Sequence, residues 1–199
     1  MDVRQLSDFI WTRDNVLDKA YCNHLIEKFE SDDRKRPGAT GKYGNVNKDR
    51  KNSTDLPMIH VEWKDDDKVF FNSLRDNLNH YFEMIGEIHP DMIPNSDEEK
   101  LSDYGFLMKR YEPDGYYHWH HDYMTDNNLG TRLLTAIWYL NDVSMQGCTE
   151  FIDGTKVQPK TGRLVIFPAS WMYLHRGCCP QDQRKYIVSS WFYHKSKHG

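Results

Sequence analysis

Lys185-Tyr186-Ile187-Val188-Ser189-Ser190-Trp191 is the stretch on which the fold turns. β-Branched and aromatic residues crowd it, and strand alternation puts Lys185, Ile187, Ser189 and Trp191 on one face. Arg184 faces the other way in this register. Working outward, the second half of the chain repeats the pattern in short runs over Tyr104 to Tyr111, Arg132 to Leu140, Arg163 to Phe167 and Lys185 to Tyr193, all beyond Pro90 and Pro94. Turns such as Pro113-Asp114-Gly115 and Asp153-Gly154 separate or flank these runs. With no internal repeat, heptad run or phosphate-cradling glycine loop, the pattern predicts an antiparallel barrel or jelly roll.

The first half reads differently. From Leu17, apolar positions at Tyr21, Leu25 and Phe29, reinforced by Cys22 and Ile26, recur at helical spacing, with Asn15 or Asp18 as N-cap. A second helix follows the acidic run Asp65-Asp66-Asp67, with Phe71, Leu74, Leu78, Phe82 and Ile85 as its buried stripe. Between them, Ser31 to Pro57 is polar and punctuated by Pro37, Gly38, Gly41 and Gly44. That composition predicts a mobile loop and not a packed element, either a solvated connection or a substrate-covering loop in which Arg50 and Ser53 take part.

The chain has 199 residues, 38% of them hydrophobic and 14% aromatic, enough for one sizeable core. The expected organisation is one domain over residues 1–199, with helical support and a possible substrate loop over 15–100 and a metal-binding β core over 101–194. A net charge of -4 lacks the electrostatic footprint of a general nucleic-acid binder. The stretch Met1-Asp2-Val3-Arg4-Gln5-Leu6-Ser7-Asp8 has no apolar h-region, and no segment approaches the roughly 18 apolar residues of a membrane span. A soluble, intracellular (cytoplasmic) protein with no membrane partner is expected. Four cysteines, Cys22, Cys148, Cys178 and Cys179, are too irregularly spaced for a disulfide framework, which fits a reducing compartment. A zinc set drawn from His118, His120, Cys178 and Cys179 lacks the usual structural-zinc spacing.

Chemistry concentrates in Tyr116-Tyr117-His118-Trp119-His120-His121-Asp122 and in Leu174-His175-Arg176-Gly177. Residues two apart on a strand share a face, so His120 and Asp122 can point into a barrel while His121 points away. His175, from a distant strand, would complete a two-His-one-carboxylate face that leaves positions open on Fe(II) for an oxo-acid and dioxygen. His118 also stands two residues from His120, but Asp122 supplies the hard anionic donor that favours iron. Lys185 by itself is a solvent-facing strand-end charge. Beside such a metal face it becomes the ammonium that pairs with the remote carboxylate of a dicarboxylic oxo-acid.

The ordered set of motifs resembles the Fe(II)/2-oxoglutarate-dependent dioxygenases, especially their prolyl 4-hydroxylase-like branch. It comprises Arg110-Tyr111-Glu112-Pro113-Asp114-Gly115 leading into His120-His121-Asp122, Ile137-Trp138-Tyr139-Leu140-Asn141, and Gly147-Cys148-Thr149-Glu150-Phe151. Pro159 to Pro168, His175-Arg176-Gly177, and Lys185-Tyr186 through Trp191 complete it. The resemblance implies a double-stranded β-helix with supporting helices. It also implies His120, Asp122 and His175 as iron ligands, Lys185 as the 2-oxoglutarate salt-bridge residue, and Tyr111 and Tyr139 as its hydrogen-bond partners. Gly147-Cys148 departs from the Gly-Gly often found at this bend in the family. Asn45, Arg50 and Ser53 are loosely similar to the family's substrate-side loop.

The implied reaction consumes dioxygen and 2-oxoglutarate, releases succinate and carbon dioxide, and hydroxylates the substrate, with ascorbate expected as reductant. A prolyl residue in a peptide or protein is the leading substrate; another amino acid or a small molecule is the alternative. Trp119, Tyr173 and Trp191 are candidates for shaping the substrate pocket, or for ordinary aromatic packing. Two other classes stand beside this reading: a non-catalytic β-barrel binding module, and a cupin-like oxygenase that uses iron without 2-oxoglutarate.

Overall fold

The computed structural model describes residues 4–41, 44–92, 99–103 and 105–196. Its elements are β1 (Trp11–Arg13), α1 (Lys19–Ser31), β2 (Arg36–Pro37), β3 (Thr54–Pro57), α2 (Lys64–Ile88), β4 (Glu99–Asp103), β5 (Leu107–Tyr111), β6 (Tyr117–His120), β7 (Thr125–Asp126), β8 (Gly130–Tyr139), β9 (Thr149–Phe151), β10 (Lys156–Val157), β11 (Arg163–Pro168), β12 (His175–Gly177) and β13 (Lys185–Ser196). A large antiparallel sheet runs β1-β11-β8-β13-β5-β3-β2, with β4 on β13 and β7 on β8; a smaller one runs β10-β9-β12-β6. The two sheets form the expected jelly roll. The proposed start of one run at Tyr104, and Pro94, lie outside the described residues.

The large sheet is buried on both faces, and the side-chain period of two sorts its residues. Leu134, Ala136 and Trp138 of β8, Leu164 and Ile166 of β11, Met108 of β5 and Val188 of β13 face the helices. Their neighbours Ile137, Tyr139, Val165, Phe167, Tyr111 and Ile187 face the interior between the sheets. Lys185 and Ile187 therefore share the inner face, as the alternation requires, while Arg184 turns outward to Glu112 at 2.8 Å.

Asp18 is the N-cap of α1, accepting from the Tyr21 amide at 2.7 Å. Cys22, Leu25 and Phe29 are buried, matching the predicted stripe. Glu30 at the other end of α1 holds the helix to the sheet, pairing with Arg110 at 2.7 Å and accepting from the Tyr186 hydroxyl at 2.7 Å.

In α2 the predicted stripe is corrected. Phe70, Leu74, Leu78, Tyr81 and Ile85 are buried, whereas Phe71 is 46% exposed and Phe82 only partly buried. A shift of one residue rotates a helix face by about 100°. The tie was decided by partners distant in sequence: Phe70 packs on Trp138 (5.2 Å) and Phe106 (5.4 Å). Burying each of these rings contributes roughly 1.5–3 kcal/mol. Trp138 adds a hydrogen bond from Nε1 to Ser73 Oγ of α2 at 3.1 Å.

The reading of the Ser31–Pro57 segment is corrected in part, because its two ends are packed while residues 44–50 are exposed. It supplies β2 and β3, and Thr54–Pro57 pairs with residues 107–110 of β5. Asp55 and Leu56 are buried, and Asp55 binds the buried Lys51 ammonium at 2.6 Å. Its turn-forming composition hid this, since strands as short as β2 and β3 need few apolar residues. No helix among the described residues is long and apolar enough to cross a membrane.

Candidate metal centre and cavity

His120 ends β6 and His175 begins β12, and these two residues are direct partners across the ladder. Adjacency in the sheet brings their rings to 4.2 Å. Asp122 lies two residues past His120, beyond the end of β6, so chain direction and not strand alternation delivers its carboxylate.

Each imidazole is oriented through its own strand. His120 Nδ1 lies 2.8 Å from the His118 carbonyl and His175 Nδ1 2.9 Å from the Tyr173 carbonyl. A carbonyl only accepts, so Nδ1 carries the proton in both rings and Nε2 presents its lone pair. Both Nε2 atoms aim at Asp122, at 3.8 Å from Oδ1 and Oδ2 respectively. That separation is too long for a hydrogen bond. The three donor atoms lie within 4.8 Å of one another and can converge on one ion.

The Thr135 hydroxyl donates to Asp122 Oδ2 at 2.8 Å and fixes the carboxylate. Burial lowers the pKa of His120 and of His175. Burial alone would raise the Asp122 carboxyl, but the positive charges facing it, Arg132 and Lys109 among them, hold the group below the usual range. Neutral imidazoles and an ionised carboxylate are the protonation states a divalent cation requires. Two nitrogens and one hard oxygen on a single face fit Fe(II).

His118 is exposed and does not join this set; its carbonyl orients His120 instead. His121 is exposed as well. The zinc set of His118, His120, Cys178 and Cys179 is not assembled among the described residues, where the metal-competent groups are His120, Asp122, His175 and, separately, Cys148, Glu150, Cys178.

The triad opens on a cavity of ≈ 450 Å³ between the two sheets. Lys185, 2% exposed, enters it from β13. Its ammonium donates to the Gly147 carbonyl at 2.9 Å and sits 4.7 Å from the Tyr111 ring centroid. Burial lowers its pKa to about 8. Tyr111 and Tyr139 also line the cavity; burial raises both phenols, so each remains a hydrogen-bond donor. Tyr139 shares its hydroxyl with Thr149 at 2.7 Å. Ser189 Oγ and Trp191 Nε1, on two further lining residues, are buried with no hydrogen-bond partner among the described residues. Unsatisfied polar atoms of this kind mark a place where a polar ligand is accepted.

The structure distributes the other sequence candidates unevenly. Arg50 and Trp191 line the cavity. Ser53 does not line the cavity; its hydroxyl donates to Asp55 at 2.7 Å. Tyr173 is buried in the interior cluster, its hydroxyl on the Leu6 carbonyl at 3.3 Å. Trp119 is away from the cavity, covered by the Arg176 guanidinium at 4.9 Å.

Sequence reasoning missed Lys109 and Arg132, although Lys109 stands two before Tyr111 on the same strand face. Both cations flank the Trp191 ring, at 5.1 Å and 4.2 Å. Lys109 is buried, and desolvation, reinforced by Lys51, lowers its pKa to about 7. The unfolded chain therefore binds more protons than the folded one between about pH 7 and pH 10.4, and stability rises with pH across that window. In metal-free protein, Lys109→Met should flatten this rise by on the order of a few kcal/mol, as measured by urea unfolding at several pH values. Lys185 acts in the same sense, so part of the slope should survive.

Residues 106–193 match the 2OG-Fe(II) oxygenase superfamily. A curated protein of Acanthamoeba polyphaga mimivirus, named "Putative prolyl 4-hydroxylase", is 33% identical over 121 residues, which are 50% of this chain and 47% of that protein. The match thus spans about half the length of the relative. Among solved structures, a viral collagen prolyl hydroxylase from Paramecium Bursaria Chlorella virus-1, in its 2OG complex, has a TM-score of 0.65 at 22% identity, covering 92% of this chain and 95% of that one. A Pseudomonas putida prolyl-4-hydroxylase has a TM-score of 0.64 at 17% identity, covering 94% and 93%. A Trichoplax adhaerens prolyl hydroxylase, bound to a hypoxia inducible factor peptide fragment, has a TM-score of 0.68 at 13% identity, covering 94% and 84%. These likenesses establish a shared fold. His120, Asp122 and His175 all lie inside the segment that matches the 2OG-Fe(II) oxygenase superfamily.

Proposed function

We propose that this chain is an Fe(II)- and 2-oxoglutarate-dependent hydroxylase acting on a prolyl residue of a peptide or protein. One observation carries the reading: two histidines of the small sheet with Asp122 just beyond it, and a buried ammonium on the large sheet, face a single cavity. A pure scaffold has no use for an open metal face beside a carboxylate anchor.

His120, Asp122 and His175 would hold the iron, and Lys185 would pair with the remote carboxylate of 2-oxoglutarate. Tyr111 and Tyr139 would donate hydrogen bonds to it. Bound iron with 2-oxoglutarate supplies the oxidising chemistry, in which dioxygen is consumed, succinate and carbon dioxide are released, and one oxygen atom goes to the substrate. The chain's share is positioning: β6 and β12 fix the donors, β13 fixes the anchor, and the two sheets exclude bulk water. Arg50 and Trp191 are proposed as substrate-side contacts. Tyr173 acts through the carbonyl that orients His175.

The prolyl choice rests on the names of the relatives, and the peptide choice on the peptide complex of the Trichoplax protein. The test incubates iron-loaded protein with 2-oxoglutarate, ascorbate and paired peptides that differ only in proline against alanine, beside free proline and other amino acids. Succinate release matched by one added oxygen on the prolyl peptide alone is the expected outcome. Matched turnover only on a free amino acid or small molecule would redirect the substrate class, and no turnover by iron-loaded protein would favour a binding module.

A further inference from the structure

We propose that Cys148 and Cys178 are a modification site, a facing thiol pair that closes reversibly to a disulfide beside the Lys185 anchor. The β9–β12 register pairs His175 with Phe151, Arg176 with Glu150 and Gly177 with Thr149. It extends one pair further, because the Cys178 amide donates to the Cys148 carbonyl at 2.9 Å. Residues directly opposed in an antiparallel ladder have Cα atoms roughly 4.5–5.5 Å apart, within the span a disulfide bridges. The two sulfurs already lie 3.1 Å apart, and bond formation needs them to close to about 2.05 Å.

The same residues, with Glu150, form the second metal-competent group. The carboxylate there is already engaged, by Arg176 at 2.6 Å and by Lys156 at 3.6 Å. Two thiolates on a tetrahedral ion with bonds near 2.3 Å stand about 3.7 Å apart, farther than these sulfurs. Geometry therefore favours the disulfide over the ion.

The pair is chemically unequal. The Cys148 thiol points at the Cys178 sulfur while Cys178 donates to Glu150 at 3.4 Å; the contact with Cys178 lowers Cys148 to about 7 against its burial, and Cys148, burial and Glu150 raise Cys178. Cys148 is the thiolate that attacks. With hydrogen peroxide as oxidant, the Cys148 sulfur takes one oxygen to give a sulfenic acid and releases water. Cys178 then attacks that sulfur and a second water leaves. Two thiols and one peroxide yield one disulfide and two waters.

Lys185 links this site to the cavity. Its ammonium is held by the carbonyls of Gly147, next to Cys148, and of Cys178 itself, at 2.9 Å and 3.4 Å. Closing the disulfide draws these acceptors and alters the anchor, a consequence that rests on the proposed co-substrate role of Lys185.

The experiment treats the full chain with graded hydrogen peroxide, quenches with an alkylating agent and maps peptides without reduction. Expected are a Cys148–Cys178 cross-link that dithiothreitol removes, its loss in Cys148→Ser and in Cys178→Ser, and its survival in Cys179→Ser. Calorimetric affinity of the iron-loaded protein for 2-oxoglutarate should shift by about fivefold or more between the two states, with no shift in Cys148→Ser. Cross-links that run to Cys179, or thiols oxidised beyond sulfenic acid without any 148–178 bridge, would overturn the site. A bridge that leaves the affinity unchanged would overturn its coupling to Lys185. Mapping needs neither iron nor turnover, so a bridged protein that binds no 2-oxoglutarate in either state supports the thiol site and contradicts the cavity reading instead.

Discussion

Lys185→Ala should raise the 2-oxoglutarate concentration needed for half-maximal turnover by roughly 30-fold to several thousand-fold, the equivalent of about 2–5 kcal/mol for truncating one partner of a buried charge pair. The size follows from burial: the ammonium is 2% exposed, and among the described residues its hydrogen-bond partners are two carbonyls. Steady-state kinetics in 2-oxoglutarate at fixed substrate measure it. The wild-type protein should also show a pH signature. Burial lowers Lys185 to about 8, so the free protein carries the charge below that pH and loses it above. Affinity for 2-oxoglutarate should therefore weaken as pH rises through about 8, and Lys185→Ala should lack this dependence. An iron oxygenase that does not use 2-oxoglutarate would show neither effect, which separates the cupin-like alternative.

His175→Ala and Asp122→Ala should each abolish iron retention and reduce turnover to background while leaving the fold intact. The triad sits where two strands meet, so removing one donor leaves two ligands, too few to hold Fe(II) in an oxygenase geometry. Equilibrium dialysis against Fe(II), alongside circular dichroism, reads both halves. Thr135→Val makes a graded version. Loss of its 2.8 Å hydrogen bond to Asp122 Oδ2 frees the carboxylate to rotate, and metal affinity should fall by about 10–100-fold.

How far the site was legible in the sequence depends on what kind of contact made it. His120, Asp122 and Lys185 could be read as facing one cavity because local spacing and strand alternation carry that information. His175 was found because an imidazole followed at a distance by a cation completes a recognisable chemistry. The route by which Asp122 reaches the iron face was misread: β6 stops at His120, and two residues of coil deliver the carboxylate.

Lys109 was readable in principle, since alternation from Tyr111 puts it on the inner face, but a lysine beside an arginine looks like surface charge. Arg132 and Thr135 belong to the site only through packing across the barrel, which no local pattern reports. The same limit explains the helix. Phe70 and Phe71 are equivalent by composition, and only the Trp138 and Phe106 rings decide between them. For residues 31–57, turn-forming composition concealed two short strands and the buried Lys51–Asp55 pair.

The most direct measurement adds 2-oxoglutarate anaerobically to protein loaded with Fe(II) and records the visible spectrum, with His175→Ala as the folded control. A metal-to-ligand charge-transfer band in the parent, absent from the control, is the result expected if one cavity holds both the iron and the oxo-acid. No band from protein with confirmed folding and bound iron would contradict the assignment of the triad and Lys185 to a single oxygenase site.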